Sequence, residues 1–350
     1  MVPHRLTRFR PLRGASTTDA AAAAAVPAPP EQMRAIVFDE TGDAEVLHEA
    51  TVAVPTPVLS ELLVRVVAAG VNPIDAKTRA GSGVSGEIGT YPSTLGFDFS
   101  GVVVSAPYDA HPFPPGTEVF GMTPFPRSGG SYAEYAVVPT LSVARKPAAL
   151  SHAEAAGVPV AALTAWGLVV ETAHAHEGQR VLIHAAGGGV GHFAVQLASY
   201  FGAQVIATGS AANLPWLREL GASVAIDYAT TRFEDIVDAV DVVIDLVGNV
   251  HDDTGTRSLR VLRPGGLYVL VPTGGWPDYA EAAAAAGVRA TSYKVIPDGT
   301  VLATLARLLD SGAIRVFVDH VYDLTDAAEA HREVERGHTR GKIVLAVGDY

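Results

Sequence analysis

A chain of 350 residues, 48% of them apolar, has the material for two domains with full hydrophobic cores. A formal net charge of −12 argues against a nucleic-acid surface, and no apolar run reaches the roughly 18 residues of a membrane span. The absence of cysteine removes disulfides, thiol catalysis and cysteine-ligated zinc, and fits a cytoplasmic protein.

Residues 1–32 stand apart. Arg5, Arg8, Arg10 and Arg13 precede an alanine run, Ala20 to Ala25, and then Pro27, Pro29 and Pro30. The leucine-rich stretch of a signal peptide is missing. The segment reads as a disordered extension rather than a targeting or docking arm, and Met33 opens the folded chain.

From Met33 to about residue 155 the pattern is β-rich. MRAIVFDE reads as a strand, and ELLVRVVAAGVNPIDAKTRAG as a strand running into a loop. LGFDFSGVVVSA, TEVFGM and GGSYAEYAVVP follow as strands. Glycine and proline fall between them, as in a β-barrel-like domain. Ser151 and Glu154 then form a capping box for a helix from His152. A second helix is expected over Leu163 to Ala173.

From there strands and helices alternate in the rhythm of a parallel sheet. Strands are expected at Val181–His184, Gln204–Thr208, Val224–Asp227, Asp241–Val247 and Gly266–Val271. Helices are expected at Val190–Phe201, Leu214–Leu220, Phe233–Ala239, Asp253–Leu262 and Glu281–Ala286. Past about residue 296 come a helix, Thr300–Ser311, a strand, Ile314–Val321, a helix, Thr325–Arg336, and a strand, Lys342–Val347. This mixed tail is expected to return to the first domain, leaving a cleft between the two.

The most informative stretch is Arg180 to Ser210. An apolar strand leads into Gly187-Gly188-Gly189-Val190-Gly191, then an amphipathic helix, then a second apolar strand. In register with G-x-G-x-x-G, Ala186, Gly188 and Gly191 take the three glycine positions. Glycines let the backbone approach a pyrophosphate, and the helix directs its free N–H groups and dipole at that charge. An NAD site carries an acid about 20 residues further on, for the ribose 2′-hydroxyl. This chain has Thr208-Gly209-Ser210 there, with no acid until Glu219. Small hydroxyls leave room for a 2′-phosphate, which favours NADPH. Arg218 either adds charge there or is a solvated helix residue.

Eight stretches carry a family resemblance: AAGVNPIDAKTRAG (68–81), YPSTLGFDFSGVV (91–103), GGSYAEYAVVP (129–139), LTAWGLV (163–169), IHAAGGGVGHFAVQLASYFGA (183–203), IDLVG (244–248), LRPGG (262–266) and GKIVL (341–345). The chain resembles the medium-chain dehydrogenase/reductase superfamily, in the zinc-free quinone oxidoreductase branch that includes the zeta-crystallins. The resemblance implies an α/β fold. A GroES-like β-barrel catalytic domain would span residues 33–155 and 297–350. A Rossmann doubly wound parallel-sheet domain for NADPH would span 156–296. It also implies a homodimer.

Zinc-dependent members have cysteine where this chain has Asn72, and a histidine-glutamate pair where it has Phe97-Asp98. No metal is therefore expected, and the Lewis acid for alcohol chemistry is missing. What remains is hydride delivery from a nicotinamide to a quinone or an α,β-unsaturated carbonyl. The alternatives are a pathway-specific enoyl reductase and a non-catalytic NADPH-binding sensor or structural protein.

The resemblance assigns the catalytic side to Asn72, Asp75 and Lys77. Asn72 would sit by the nicotinamide. Asp75 would orient it or pair with Arg79, and Lys77 would supply a proton, anchor the enolate or be merely solvated. For the cofactor it assigns Thr164 to the nicotinamide ribose, and Ala186, Gly187, Gly188, Gly189, Val190 and Gly191 to the phosphates. Thr208, Ser210 and Tyr228 fall to the adenosine phosphate, Leu246 and Gly248 to the turn beneath the cofactor, and Lys342 to an approach from the tail. His184 and His192 read as packing or surface residues. The substrate pocket is expected between the loops 82–90 and 124–130.

Overall fold

The computed structural model describes residues 27–126 and 129–348. Residues 1–26 of the expected extension lie outside that range, as do Arg127 and Ser128 of the 124–130 loop. The first strand, Gln32–Phe38, starts a residue ahead of Met33, because Gln32 already pairs with Ala53 in an antiparallel ladder.

Six strands build one wholly parallel sheet, in the order Ala222–Asp227, Gln204–Gly209, Arg180–Ile183, Val240–Asp245, Leu262–Leu270, Arg289–Ser292. The order grows outward from Arg180–Ile183 in both directions, which is the doubly wound arrangement. Its central strands are buried on both faces, so they read as unbroken apolar runs: Val181, Leu182 and Ile183 are all fully buried. The edge strand Arg289–Ser292 was not anticipated. Four polar or small residues, RATS, show no apolar alternation.

A second sheet of seven strands is centred on Glu61–Val71. This strand pairs antiparallel with Asp98–Ser105, Tyr135–Pro139 and Lys342–Ala346. The final strand of the chain thus lies against one of the first, with Ile343 opposite Val71. One buried cluster joins the two sheets. It runs from Phe97, Phe120 and Met122 through Val160 and Leu163 to Phe193 and Leu302.

Other elements also differ from expectation. The segment after Val71 is a helix, Pro73–Arg79, because Pro73 at its first position needs no N–H partner there. The helix expected at Leu163–Ala173 begins at Pro159, also a first-position proline, and widens into a π turn at Gly167–Thr172. The Tyr293 ring fills the space beside Gly167, where a Cβ would meet its hydroxyl at 1.8 Å. The helix expected at Phe233–Ala239 is only a single 3-10 turn, Phe233–Asp235. Phe233 and Val237 anchor it, and Ala239 at φ 49° breaks it. The strand expected at Ile314–Val321 runs instead from Val318 to Asp323, because Ile314 is drawn into the shared core.

Candidate active site

The strand Glu61–Val71 delivers Asn72 to the seam between the sheets, where it is 3% exposed. The Asp75 carboxylate accepts the Asn72 backbone N–H at 2.8 Å and the Gly96 N–H at 3.2 Å. The Asn72 amide donates to Asp98 Oδ2 at 2.9 Å, and its Oδ1 accepts from Lys342 Nζ. Lys342 also donates to the Val71 carbonyl at 3.1 Å and pairs with Asp98 at 3.4 Å. Asp98 Oδ1 accepts the Val160 N–H at 2.7 Å, at the start of helix Pro159–Trp166. Asn72, Asp98 and Lys342 are one buried unit, and Asp75 fixes its backbone.

Electrostatics follow from burial. The Asp98 carboxyl is raised above the usual carboxylate range by desolvation, against the pull of the Lys342 ammonium. Asp75 is pushed up to about 7, chiefly by burial. Tyr132 hydrogen-bonds to Asp75 from behind, and its hydroxyl meets His331 Nε2 at 3.2 Å. Burial also pushes His192 down to about 4, so this ring is neutral, with Nδ1 3.0 Å from the Gly188 carbonyl.

Opposite this unit lies the glycine turn. Its left-handed residue is Ala185, at φ 47°, not a glycine. The glycines serve close approach instead. A Cβ at Gly191 would stand 2.4 Å from the Ala185 carbonyl and 2.6 Å from Ala186 Cα. At Gly187 it would meet Asn213 Nδ2 at 2.8 Å, and at Gly189 the Lys342 side chain at 3.1 Å. Gly188 caps the helix Gly189–Tyr200, and a Cβ there would meet only the Ala185 carbonyl, at 3.3 Å. The N–H groups of Gly189, Val190 and Gly191 have no carbonyl to bond within their helix. A cradle of close backbone with free donors fits a dinucleotide pyrophosphate.

The remaining wall is the end of strand Val240–Asp245. The Asp245 carboxylate accepts the Val247 and Gly248 N–H groups, each at 2.8 Å, and so holds the turn at Leu246 and Gly248. Gly248 has φ 81°, and a Cβ there would stand 2.9 Å from the Gly275 carbonyl.

Residues 59–148 match the model of an alcohol dehydrogenase GroES-like domain, and residues 220–345 that of a zinc-binding dehydrogenase. A 2-methylene-furan-3-one reductase from Solanum lycopersicum is 36% identical, covering 96% of this chain and 85% of its own. The chloroplastic NADPH-dependent alkenal/one oxidoreductase of Arabidopsis thaliana is 33% identical over 95% of this chain and 84% of its own. The solved structure of the quinone oxidoreductase from Coxiella burnetii has a TM-score of 0.85 at 38% identity. It covers 91% of this chain and 100% of that one. The chain belongs to the quinone oxidoreductase branch of the medium-chain dehydrogenase/reductase superfamily.

Within this superfamily fold, the structure separates the expected residues into those that face the cleft and those engaged elsewhere. Asn72 is joined to the turn through Lys342, whose side chain lies against Gly189; Asp75 is buried behind Asn72, and Ala186 is fully buried. Tyr228 is 57% exposed beside Ser210, its N–H bonded to the Gly209 carbonyl at 3.2 Å. The Thr164 hydroxyl donates to the Val160 carbonyl one helical turn back, at 2.6 Å. The Thr208 hydroxyl meets His184 Nδ1 at 3.0 Å, both side chains buried. Lys77 is two helical positions from Asp75, and so on the opposite side of Pro73–Arg79. It is half-buried, with no side-chain partner among the described residues. Lys342 does reach the turn, but its ammonium is bound to Asn72, Val71 and Asp98. Arg218 is exposed and leans on the Ala225 carbonyl at 3.5 Å. Asp98 was missed as a site residue; it stood out in the sequence only as a departure from the zinc-dependent pattern.

Proposed function

We propose that this protein is a zinc-independent NADPH-dependent reductase that transfers hydride to a quinone or an α,β-unsaturated carbonyl. One contact carries the reading. The Gly341 N–H bonds the Gly187 carbonyl at 2.9 Å, so the nucleotide cradle and the Asn72–Asp98–Lys342 unit are joined through adjacent residues of one tail. The bound nicotinamide would supply the hydride. The donors at Gly189, Val190 and Gly191 hold the pyrophosphate. Asn72, locked by Asp98 and Lys342, keeps one amide hydrogen free to polarise an acceptor oxygen. The donor set supports metal independence, since Asp98 is already paired with an ammonium where a cation would bind. The activities named for the tomato and Arabidopsis relatives support an enone as acceptor.

Among the described residues the strand Arg289–Ser292 is paired on one side only, and Ile296 just beyond it is 70% exposed. An unpaired edge of this kind supports a homodimer through a second copy of the same strand. The cysteine-free composition supports a cytoplasmic location.

The test is loss of nicotinamide absorbance with NADPH or NADH against benzoquinone, phenanthrenequinone and 2-alkenals. Turnover with a preference for NADPH is the expected result. Nucleotide binding with no reduction of either acceptor class would leave the chain a binding protein, or an enzyme of one dedicated substrate. Failure to bind either nucleotide would end the reading of the glycine turn.

A further inference from the structure

We infer that Arg340 recognises the 2′-phosphate of the nucleotide and thereby sets the preference for NADPH over NADH. This rests on the nicotinamide-nucleotide reading of the glycine turn. A phosphate subsite needs a cation, and Lys342 is not available. It is 3% exposed, and its donors serve Asn72 Oδ1, the Val71 carbonyl and Asp98 Oδ2. An ammonium has three donors, so none is left over.

Arg340, two residues earlier, is placed differently. Its guanidinium carbon lies 4.2 Å from the centre of the Trp216 ring and 4.5 Å from that of Phe317. Two aromatic faces fix the plane of the group and leave its edge donors free. Its Nε is buried with no hydrogen-bond partner, and among the described residues no carboxylate forms an ion pair with it. The Asp319 carboxylate accepts only its backbone N–H, at 3.4 Å.

The surroundings are those of the ribose end of the cleft. The next residue, Gly341, is bonded to Gly187 of the glycine turn. Trp216 belongs to the helix Leu214–Glu219, which directly follows Ser210 and Asn213 at the end of strand Gln204–Gly209. In a doubly wound fold the end of that strand meets the adenosine ribose. Ser210 and Asn213 make no side-chain hydrogen bond among the described residues, and the Asn213 side chain lies against Gly187 of the turn, so a hydroxyl and an amide are free at this strand end. The acid opposite Gly209, Asp227, is turned into its own loop, accepting the Ala229 N–H at 3.1 Å and the Thr230 hydroxyl at 3.0 Å. Both carboxylates near this end, Asp227 and Asp319, have their oxygens engaged by N–H or hydroxyl donors, and neither pairs with the guanidinium. The first-turn N–H groups already serve the pyrophosphate, which leaves the guanidinium for the second anion.

Calorimetric titration of the full chain with NADPH, NADH, 2′,5′-ADP and 5′-ADP tests this without turnover. Wild type should bind 2′,5′-ADP more tightly than 5′-ADP. Arg340→Ala should weaken NADPH and 2′,5′-ADP by about 10- to 100-fold, the range for a charge-assisted hydrogen bond, and leave NADH and 5′-ADP within about twofold. Arg340→Lys keeps the charge without the planar fork and should fall between. A thermal melt of each variant checks folding, and Arg340→Lys carries the test if Arg340→Ala does not fold. Equal losses for NADPH and NADH would overturn the inference, since they would assign Arg340 to the pyrophosphate or to packing. No loss for either would also overturn it. Both results leave the glycine-turn reading intact, because that reading fails only if wild type binds neither dinucleotide.

Discussion

Lys342 and Asp98 are each at most 3% exposed, and each is tolerable only because of the other. Removing one partner of such a pair leaves a bare buried charge, at a cost of about 3–5 kcal/mol. Lys342→Met should therefore lower stability by that amount in urea titrations. Adding Asp98→Leu should recover most of it, since a buried pair replaced by apolar groups is often neutral. If Lys342→Met proves silent, the pair does not hold Asn72. Asp75 is a separate case. Its folded pKa of about 7 lies above the ordinary 3.8, so the folded chain holds this proton more tightly than the unfolded one. The stability it contributes is complete below 3.8 and lost as pH rises to about 7. Buried His192, pushed down to about 4, has the opposite sign and loses stability as pH falls below 6.5. Comparing Asp75→Asn with wild type across this window isolates the carboxyl. The variant should lack the loss of stability between about pH 3.8 and 7. At this scale the sequence was partly legible. Asn72 and Asp75 were singled out through their motif, and the structure buries both; the engagement of Thr164, Thr208 and Lys342 was not legible, because a hydroxyl or ammonium in a motif says nothing about which oxygen lies beside it in the fold.

Among the elements, the strand–turn–helix at Arg180 to Tyr200 separates packing from binding. Gly191 faces the backbone of Ala185 and Ala186 at distances no Cβ can occupy, whereas Gly188 has 3.3 Å of clearance. Gly191→Ala should lower both the melting temperature and nucleotide affinity. Gly188→Ala should leave melting nearly unchanged and weaken the nucleotide by at least about tenfold, because a methyl beside the first-turn donors blocks backbone approach. Equal effects at the two positions would refute the division. This unit was read from sequence within a residue or two, since apolar period and glycine spacing agree locally. The short helix Pro73–Arg79 and the edge strand Arg289–Ser292 were not. Seven and four residues are too few to establish a period, and tertiary contacts hold them.

For the whole molecule, the open edge at Arg289–Ser292 predicts association. Sedimentation should show a dimer at micromolar concentration, and Ile296→Glu should shift it toward monomer. A wild-type monomer would remove the edge strand as an interface. The alternation of strands and helices made the doubly wound sheet readable, because each strand there neighbours the next or is reached by one crossover. The return of the tail was expected from its mixed pattern. Its partner strand, Glu61–Val71, was not, since pairing across the length of the chain leaves no local trace.

The bond from Gly341 to Gly187 has a consequence for biosynthesis. The chain leaves the ribosome with the glycine turn and its flanking strands complete long before residue 341 exists. Until residues 341–346 emerge, Asp98 lacks its ammonium, Glu61–Val71 lacks one of its neighbours, and Gly187 lacks its bond to the tail. The glycine turn therefore gains its bond to the tail only once Gly341 has been made. A product stalled or clipped before residue 341 would leave the Glu61–Val71 strand without this neighbour and Asp98 without its ammonium, features of the kind proteases and chaperones recognise.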